Sequence, residues 1–370
     1  MGTSVLEARW FCFRFGGAQD DWQSAIPANP IRVLCMKILR FVLLLGLAVV
    51  VCGGVETAKA QPGVAADHSG MMQGVGDHPA VQLAILDTDI GDDIDDAFAL
   101  ALALKSPELK LLGITTAYGD TELRARLVDR YLSAVGRTDI SVAPGVPTPH
   151  NNVFTQAAYA HHSPDRKHPD GVAYLLDQIR AHPGQITLIA IGPQNNIEEA
   201  IKRDPETFRK LKRVVMMGGS IYRGYGDLSA PPSSEWNINR DPAGLRALLA
   251  SGVPVFMMPL DSTQVHLETK DREAIFAHGS PLTDQLTLLY HQWMAGNEGH
   301  WPAPTLFDPV AVAYAVRPEL CPATPMRIEV DDKGFTRPVN GAPNAQVCLK
   351  SDEKGFLELL LGRITGEDSR

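Results

Sequence analysis

The stretch VQLAILDTDIGDDIDDAFALALALK, from Val81 to Lys105, constrains this chain more than any other. An uninterrupted apolar run, Leu83 to Leu86, reads as a buried strand of a parallel sheet, and Asp87, Asp89, Asp92, Asp93, Asp95 and Asp96 follow within ten residues. From Ala97 to Leu104 strong helix formers take over. The acidic cluster therefore occupies a strand-to-helix connection, where an open α/β sheet keeps its ligand site. Carboxylates this crowded repel one another unless a cation holds them. Asp oxygens with no His or Cys among them suit a hard ion such as Ca²⁺ or Mg²⁺, and the crowding favours the high, flexible coordination number of calcium. The helix dipole alone accounts for one or two Asp in a first turn, and leaves Asp87 and Asp89 at the end of an apolar strand unexplained.

The same rhythm continues downstream. Leu109 to Ala117, Gln185 to Gly192, Leu211 to Gly219 and Val253 to Asp261 are apolar runs that each end in Gly, Pro or Asp or give way to a helical stretch, the βαβ pattern of a parallel sheet. Met326 to Val330 and Gln346 to Lys350 break it, alternating around Gly and Pro like antiparallel strands beside the sheet. The expectation is one α/β domain over residues 81–366: an open, mostly parallel sheet flanked by helices, with a small antiparallel C-terminal addition. A 370-residue chain that is 45% hydrophobic can bury a core of that size. The net charge of -9 and the lack of a basic stripe argue against a nucleic-acid partner.

In a parallel sheet the carboxyl ends of all strands share one edge, so the residues there should carry the chemistry. They are Tyr118-Gly119-Asp120, Gly192-Pro193-Gln194-Asn195-Asn196, and, after Gly218-Gly219, Glu235-Trp236-Asn237-Ile238-Asn239. Together with Asp87-Thr88-Asp89-Ile90-Gly91-Asp92-Asp93-Ile94-Asp95-Asp96 and Asp308-Pro309, these segments resemble, one after another, the inosine-uridine preferring nucleoside hydrolase family. The resemblance covers nearly all of residues 81–360 and implies a Rossmann-like nucleoside hydrolase fold. Here the Asp95-Asp96 pair follows Gly91 two residues later than in the best-known members, as in a longer variant of the motif.

What the resemblance implies is an exported, calcium-dependent hydrolase that cleaves the N-glycosidic bond of ribonucleosides, or related N-ribosides, to ribose and free base. Asp89, Asp96, Asp308 and the carbonyl of Ile191 are implied as calcium ligands, with Asp89 also taking the proton of the water that the ion orients. Asp95, Asp120, Glu235 and Asn237 are implied to hold ribose hydroxyls, with Asp120 at a position where the family more often has Asn. A dimer or tetramer is the implied assembly. On residue type alone Asp308 before Pro309 reads better as a helix cap, and so does Asn196.

The chemistry is coherent without the family. Breaking an N-glycosidic bond passes through an oxocarbenium-like sugar that nearby negative charge stabilises, and it needs a nucleophilic water on the far face of the ring. A cation can orient that water and chelate the sugar diol while a carboxylate such as Asp89 removes the proton. The departing base commonly needs a proton, and here the chain departs from the best-known members, which carry His where Phe307 stands. Replacement acids are sought among His161, His162, His168, Tyr222, Tyr225 and His300, each of which, taken singly, reads more readily as a solvated loop residue. Trp301 or Phe307 could stack on the base.

Upstream, Met36-Lys37-Ile38-Leu39-Arg40, the apolar run Phe41 to Val51 and the small-x-small sequence Ala58-Lys59-Ala60 read as a secretory signal over residues 36–60, cleaved before Gln61. Residues 1–35 then form an upstream extension and 61–80 a flexible leader. The apolar run is short for a membrane span, so no stable anchor is expected after cleavage and a periplasmic or secreted location follows. Only Cys321 and Cys348 remain in the mature chain, and a disulfide and two buried thiols are both open to them. Two rival functions share parts of the pattern. Asp87-Thr88-Asp89 after a strand also opens Mg²⁺-dependent haloacid dehalogenase-like phosphatases, but no later acidic pair follows Met216-Met217-Gly218-Gly219. A calcium-dependent sugar- or nucleoside-binding protein without turnover fits the absence of His at position 307.

Overall fold

A computed structural model describes residues 81–163, 166–297 and 303–366. The 1–35 extension, the signal-like segment, the leader and the candidates His300 and Trp301 lie outside the described residues. The strands are β1 (Gln82–Thr88), β2 (Leu109–Thr116), β3 (Ser141–Pro144), β4 (Ile186–Ala190), β5 (Arg213–Met217), β6 (Val255–Met258), β7 (Ala323–Val330), β8 (Thr336–Val339) and β9 (Ala345–Cys348). Between and after them run α1 (Asp95–Lys105), α2 (Thr121–Ala134), α3 (Ala157–His161), α4 (Gly171–Ala181), α5 (Asn195–Arg203), α6 (Pro205–Phe208), α7 (Trp236–Arg240), α8 (Pro242–Ala250), α9 (Leu260–Thr263), α10 (Thr269–His278), α11 (Pro281–Gly296), α12 (Phe307–Val316) and α13 (Glu353–Thr365).

The strands form one sheet in the order β3-β2-β1-β4-β5-β6-β9-β7-β8, parallel from β3 through β9. From β1 the chain winds outward to β2 and β3, then returns to lay β4, β5 and β6 on the other side. The switch point is thus the seam between β1 and β4, the place where such a sheet binds ligands beyond its carboxyl edge. Alternation along the strands feeds two cores. Leu86, Ile189 and Val215 face the side covered by α1, α11, α12 and α13, whereas Ile85, Leu188 and Val214 face the side covered by α4, α5 and α8.

Two helices are apolar on every side. In α1 the run Asp95 to Ala103 is buried throughout, and in α12 so is Asp308 to Val316. A helix without a polar face must be enclosed, and these two pack on one another against the sheet. Their alanines permit the close approach.

The C-terminal addition differs from expectation in one respect. The strands at Met326 and Gln346 pair antiparallel, as read from the sequence, but the one at Gln346 also joins β6 in parallel and so extends the main sheet before β7 turns back along it, with β8 antiparallel on its other side. β3 and β8 were not legible: each is four residues long and carries a proline. The open question of the cysteines resolves as a disulfide, Cys321–Cys348, with Cα atoms 5.6 Å apart, stapling the entry of β7 to the end of β9. The bridge spans 27 residues, so closing that loop in the unfolded chain stabilises the fold by about 3 kcal/mol. A Cys321→Ser, Cys348→Ser double variant is expected to lose about 2–4 kcal/mol in urea unfolding; an unchanged midpoint would show that the bridge does not form.

Candidate active site

At the end of β1 the chain turns sharply at Gly91, whose φ of +128° and whose missing Cβ, which would stand 2.2 Å from the Phe154 ring, both require glycine. The turn delivers Asp95 and Asp96 into the first turn of α1. Asp308 enters the first turn of α12 alongside, and its backbone N–H donates to Asp95 Oδ2 at 3.2 Å. Thr88 Oγ1 donates to Asp96 Oδ1 at 2.5 Å. The result is a trio, Asp95, Asp96 and Asp308, all buried, each offering an oxygen within 4.8 Å of the others. Two helix N-termini point at it and offset part of the charge. Neither Ile94 nor Leu306, the residues before the two helices, caps by its side chain, and Asp308 stands inside the first turn of α12 rather than at its cap.

Burial sets the protonation behaviour here. It pushes Asp89 up to about 7, against the pull of the Arg124 guanidinium and with a further rise from Asp92. Asp95, Asp96 and Asp308 are held well above the ordinary carboxylate range, first by burial and then by neighbouring carboxylates. Asp87, deeper in the sheet, is raised to about 6 by burial, while hydrogen bonds from Thr115 Oγ1 at 2.5 Å and Asn196 Nδ2 at 2.7 Å oppose the rise. A cluster of acids that cannot comfortably ionise, with oxygen donors only, fits a hard divalent cation.

One cation is already built in. Arg124 of α2 is 1% exposed and spends its guanidinium on the acidic loop: Nε donates to the Tyr118 carbonyl at 2.8 Å, Nη1 to the carbonyls of Asp89 and Ile90, and Nη2 to Asp92 Oδ2 at 3.0 Å. The segment before α3 clamps the loop from the other side, with Asn152 Nδ2 on Asp92 Oδ2 at 2.9 Å, Thr155 Oγ1 on the Asp92 carbonyl at 2.7 Å and Gln156 Nε2 on the Asp93 carbonyl at 2.7 Å.

Across the switch point, β4 leads into Ile191 and Gly192. A Cβ on Gly192 would come within 2.9 Å of Asp89 Oδ1, so glycine lets that carboxylate lie against the end of β4. The Ile191 carbonyl accepts from Asn237 Nδ2 at 3.1 Å and keeps a second lone pair. Asn237 Nδ2 also reaches the Met217 carbonyl at 3.3 Å. Glu235 is 1% exposed and accepts backbone N–H groups from Gly219, Asn237 and Ile238 at 2.9–3.1 Å, anchoring α7 and the turn after β5. Above the acids opens a cavity of about 440 Å³ whose wall includes Asp89, the trio, Ile191, Glu235 and Asn237.

The structure therefore gathers Asp89, Asp95, Asp96, Ile191, Glu235, Asn237 and Asp308 at one cavity, with Asp95 standing in the acidic trio and Asp89 beside it. Asp120 is not in that wall: it is exposed and its Oδ1 caps α2 through the Leu123 N–H at 3.0 Å. Asn196 is no cap either, because it ties Asp87, the Thr116 carbonyl and the Val146 N–H together at the carboxyl ends of β1, β2 and β3. His168 lies between Glu122 and Asp129, at 2.9 and 2.8 Å, and joins the 166–170 segment to α2. His161 and His162 are exposed on and after α3, and Tyr222 is 58% exposed. Of the described aromatic and histidine candidates, Tyr225 and Phe307 line the cavity, edge to face with ring centroids 6.0 Å apart. Arg124 escaped the sequence reading, although a signal exists: it shares the apolar stripe of α2 with Leu127, Val128, Tyr131 and Leu132, where an arginine has no solvent.

A buried oxygen-donor cluster at the switch point of a parallel sheet, roofed by a polar-walled cavity, defines a metal-assisted hydrolase of the doubly wound class. More narrowly, the chain belongs to the inosine-uridine preferring nucleoside hydrolase family, whose sequence profile matches residues 84–358. It is 31% identical over 310 residues to the pyrimidine-specific ribonucleoside hydrolase RihA of Citrobacter koseri, covering 76% of this chain and 97% of that protein. The RihA of Escherichia coli K12 is 30% identical with the same coverage. Among solved structures, the plant nucleoside hydrolase PpNRh1 matches with a TM-score of 0.69 and 28% identity over 77% of this chain and 99% of that one. The purine-preferring ribonucleoside hydrolase of Gardnerella vaginalis matches with 0.68 and 27% over 77% and 98%. The phosphatase alternative falls with this assignment, and the family places the chain among N-glycosyl hydrolases.

Two outcomes follow from the site. The unfolded chain releases carboxyl protons near the ordinary 3.8, whereas the folded chain holds that of Asp89 up to about 7. Folding then binds protons across this window, so stability without a cation falls as pH rises from 3.8 to about 7. Thermal melts in chelator should give a lower Tm at about pH 7.5 than at about pH 5, with added Ca²⁺ removing most of the difference; a Tm that rises would refute the reading. Arg124→Met, which strands three carbonyls and Asp92, is expected to cost about 3–5 kcal/mol in urea unfolding.

Proposed function

We propose that this chain is an exported, calcium-dependent ribonucleoside hydrolase that splits the N-glycosidic bond of a nucleoside into ribose and free base. The observation that carries the reading is the convergence of Asp95, Asp96 and Asp308, from two helix N-termini, beneath a cavity walled by Asp89, Glu235 and Asn237. Asp96, Asp308, Asp89 and the Ile191 carbonyl would hold the ion, and Asp95, within the same trio, borders the ribose. When bound, the ion supplies the charge that keeps these acids ionised and fixes a water and the sugar diol.

The chain's own groups do the rest. Asp89, already inclined to carry a proton, takes the one released by the attacking water. The surrounding carboxylates stabilise the oxocarbenium-like sugar as the bond to the base stretches. Asn237, its Nδ2 engaged with two carbonyls, presents Oδ1 to a ribose hydroxyl, while Glu235 holds α7 and Asn237 in place. The Cys321–Cys348 bridge supports the export expected from the 36–60 segment, since disulfides persist in oxidising compartments.

Release of base and reducing sugar from a panel of purine and pyrimidine ribonucleosides is the direct test. Turnover is expected to collapse on chelation and to return with Ca²⁺. Asp96→Ala should lose bound metal and at least about 1,000-fold in kcat with the far-UV spectrum unchanged. Full activity in that variant would exclude Asp96 as a ligand, and metal binding without turnover of any nucleoside would favour a binding protein.

A further inference from the structure

A second cavity, of about 630 Å³, opens off the first. The two share the side chains of Asp93, Tyr225, Trp293, Asn297 and Phe307, so a molecule in the first can extend into the second past the Phe307 ring. The character changes on the way. The first cavity is floored by the acids, whereas the second adds Gln264, His266 and Thr305 to its aromatic walls. A flat, apolar ring with polar edges suits such a chamber.

His266 is the one histidine among the described residues that lines either cavity. Its place is fixed relative to the metal acids. Residues 265–267 pair with 304–306 through Leu306 N–H to the Val265 carbonyl at 2.7 Å and Leu267 N–H to the Pro304 carbonyl at 2.9 Å, and the chain then runs straight into Phe307 and Asp308. His266 Nδ1 and Thr305 Oγ1 are 3.2 Å apart, which orients the ring and leaves Nε2 for a ligand. The other polar groups in the chamber are poor proton donors. The Tyr225 hydroxyl accepts from the Trp236 N–H at 2.9 Å and faces Glu235 Oε1 at 3.5 Å, and burial holds it above the ordinary tyrosine value. Asp227 accepts hydrogen bonds from the Ser229 N–H at 2.9 Å and Oγ at 2.7 Å, which hold its carboxyl below the ordinary range.

Resting on the hydrolase reading above, we propose that this second chamber receives the base of the nucleoside and that His266 is the acid that protonates it, in place of a histidine at position 307. As the C1′–N bond breaks, its electron pair passes to the base, a base nitrogen takes the Nε2 proton of His266, the water oxygen bonds to C1′ and the water proton goes to Asp89.

The test compares His266→Ala and His266→Gln with the wild type on inosine, uridine and 4-nitrophenyl riboside, whose leaving group needs little protonation. Nucleoside kcat is expected to fall at least about 100-fold in both variants, while 4-nitrophenyl riboside loses no more than about threefold. Gln, which can donate a hydrogen bond but no proton, should keep the nucleoside KM. Equal losses on both substrate types would show a merely structural role and overturn the proposal, as would undiminished nucleoside turnover. The chamber is tested without catalysis by titrating hypoxanthine and uracil calorimetrically into wild type and Ala303→Trp, which fills it. Loss of base binding with Ca²⁺ affinity retained supports the site, and equal binding overturns it. A wild type that cleaves none of the substrates would sink the hydrolase reading itself, a result distinct from any variant-specific loss.

Discussion

Everything at the carboxyl edge of this sheet answers to one constraint: three carboxylates must be kept out of water within 4.8 Å of one another. Left alone, such a group is costly to ionise and drives its own protonation. The fold relieves this by several partial means. Two helix N-termini aim at the trio, an amide of α12 donates to Asp95, and a hydroxyl of β1 donates to Asp96. None supplies a full positive charge. That gap suits a divalent cation, and an enclosed, apolar helix pair carries acids only in its first turns: the alanines of α1 and α12 let the helices approach, and the closeness of the helices is the closeness of the acids.

Arg124 answers the same constraint one step away. The loop carrying Asp92 and Asp93 adds acids that do not join the trio, and Arg124 takes Asp92 with the carbonyls of Asp89 and Ile90. Because its other contact is the carbonyl of Tyr118, a residue at φ +61°, the guanidinium ties the β1 and β2 loop ends into one unit. Asp89 is thereby fixed from behind through its backbone while its side chain stays free to face the cavity. A long acidic loop and a buried arginine are two halves of one device.

The β1–α1 junction was legible because its signal is local: an apolar strand, a glycine and acids spaced into a helix start. The parallel order followed from repeated apolar runs, the strand-end rule pointed to Glu235 and Asn237, and the family resemblance added Ile191 and Asp308; all four line one cavity. Legibility failed where partners are distant in sequence. β3 and β8 are held by neighbours rather than by their own pattern. Asp120 sits at a strand end yet turns outward to cap α2, a choice made by one backbone N–H. His168 looked free in a polar loop but is taken by Glu122 and Asp129 from α2. His266 gave no signal at all, since what matters about it is the bridge to Thr305 across 39 residues.

Phe307 marks how the two halves of the chemistry are kept apart. Position 307 precedes Asp308 and lines both cavities. The phenyl ring there, edge-on to Tyr225, forms an apolar partition between the acidic floor and the second chamber. The strand pairing that leads into Phe307 simultaneously fixes His266 on the far side of that partition. A group held there stands in a different cavity from Asp89, with Asp93, Tyr225 and Phe307 shared between the two. An aromatic wall between the acidic floor and the second chamber is what a phenylalanine next to Asp308 provides.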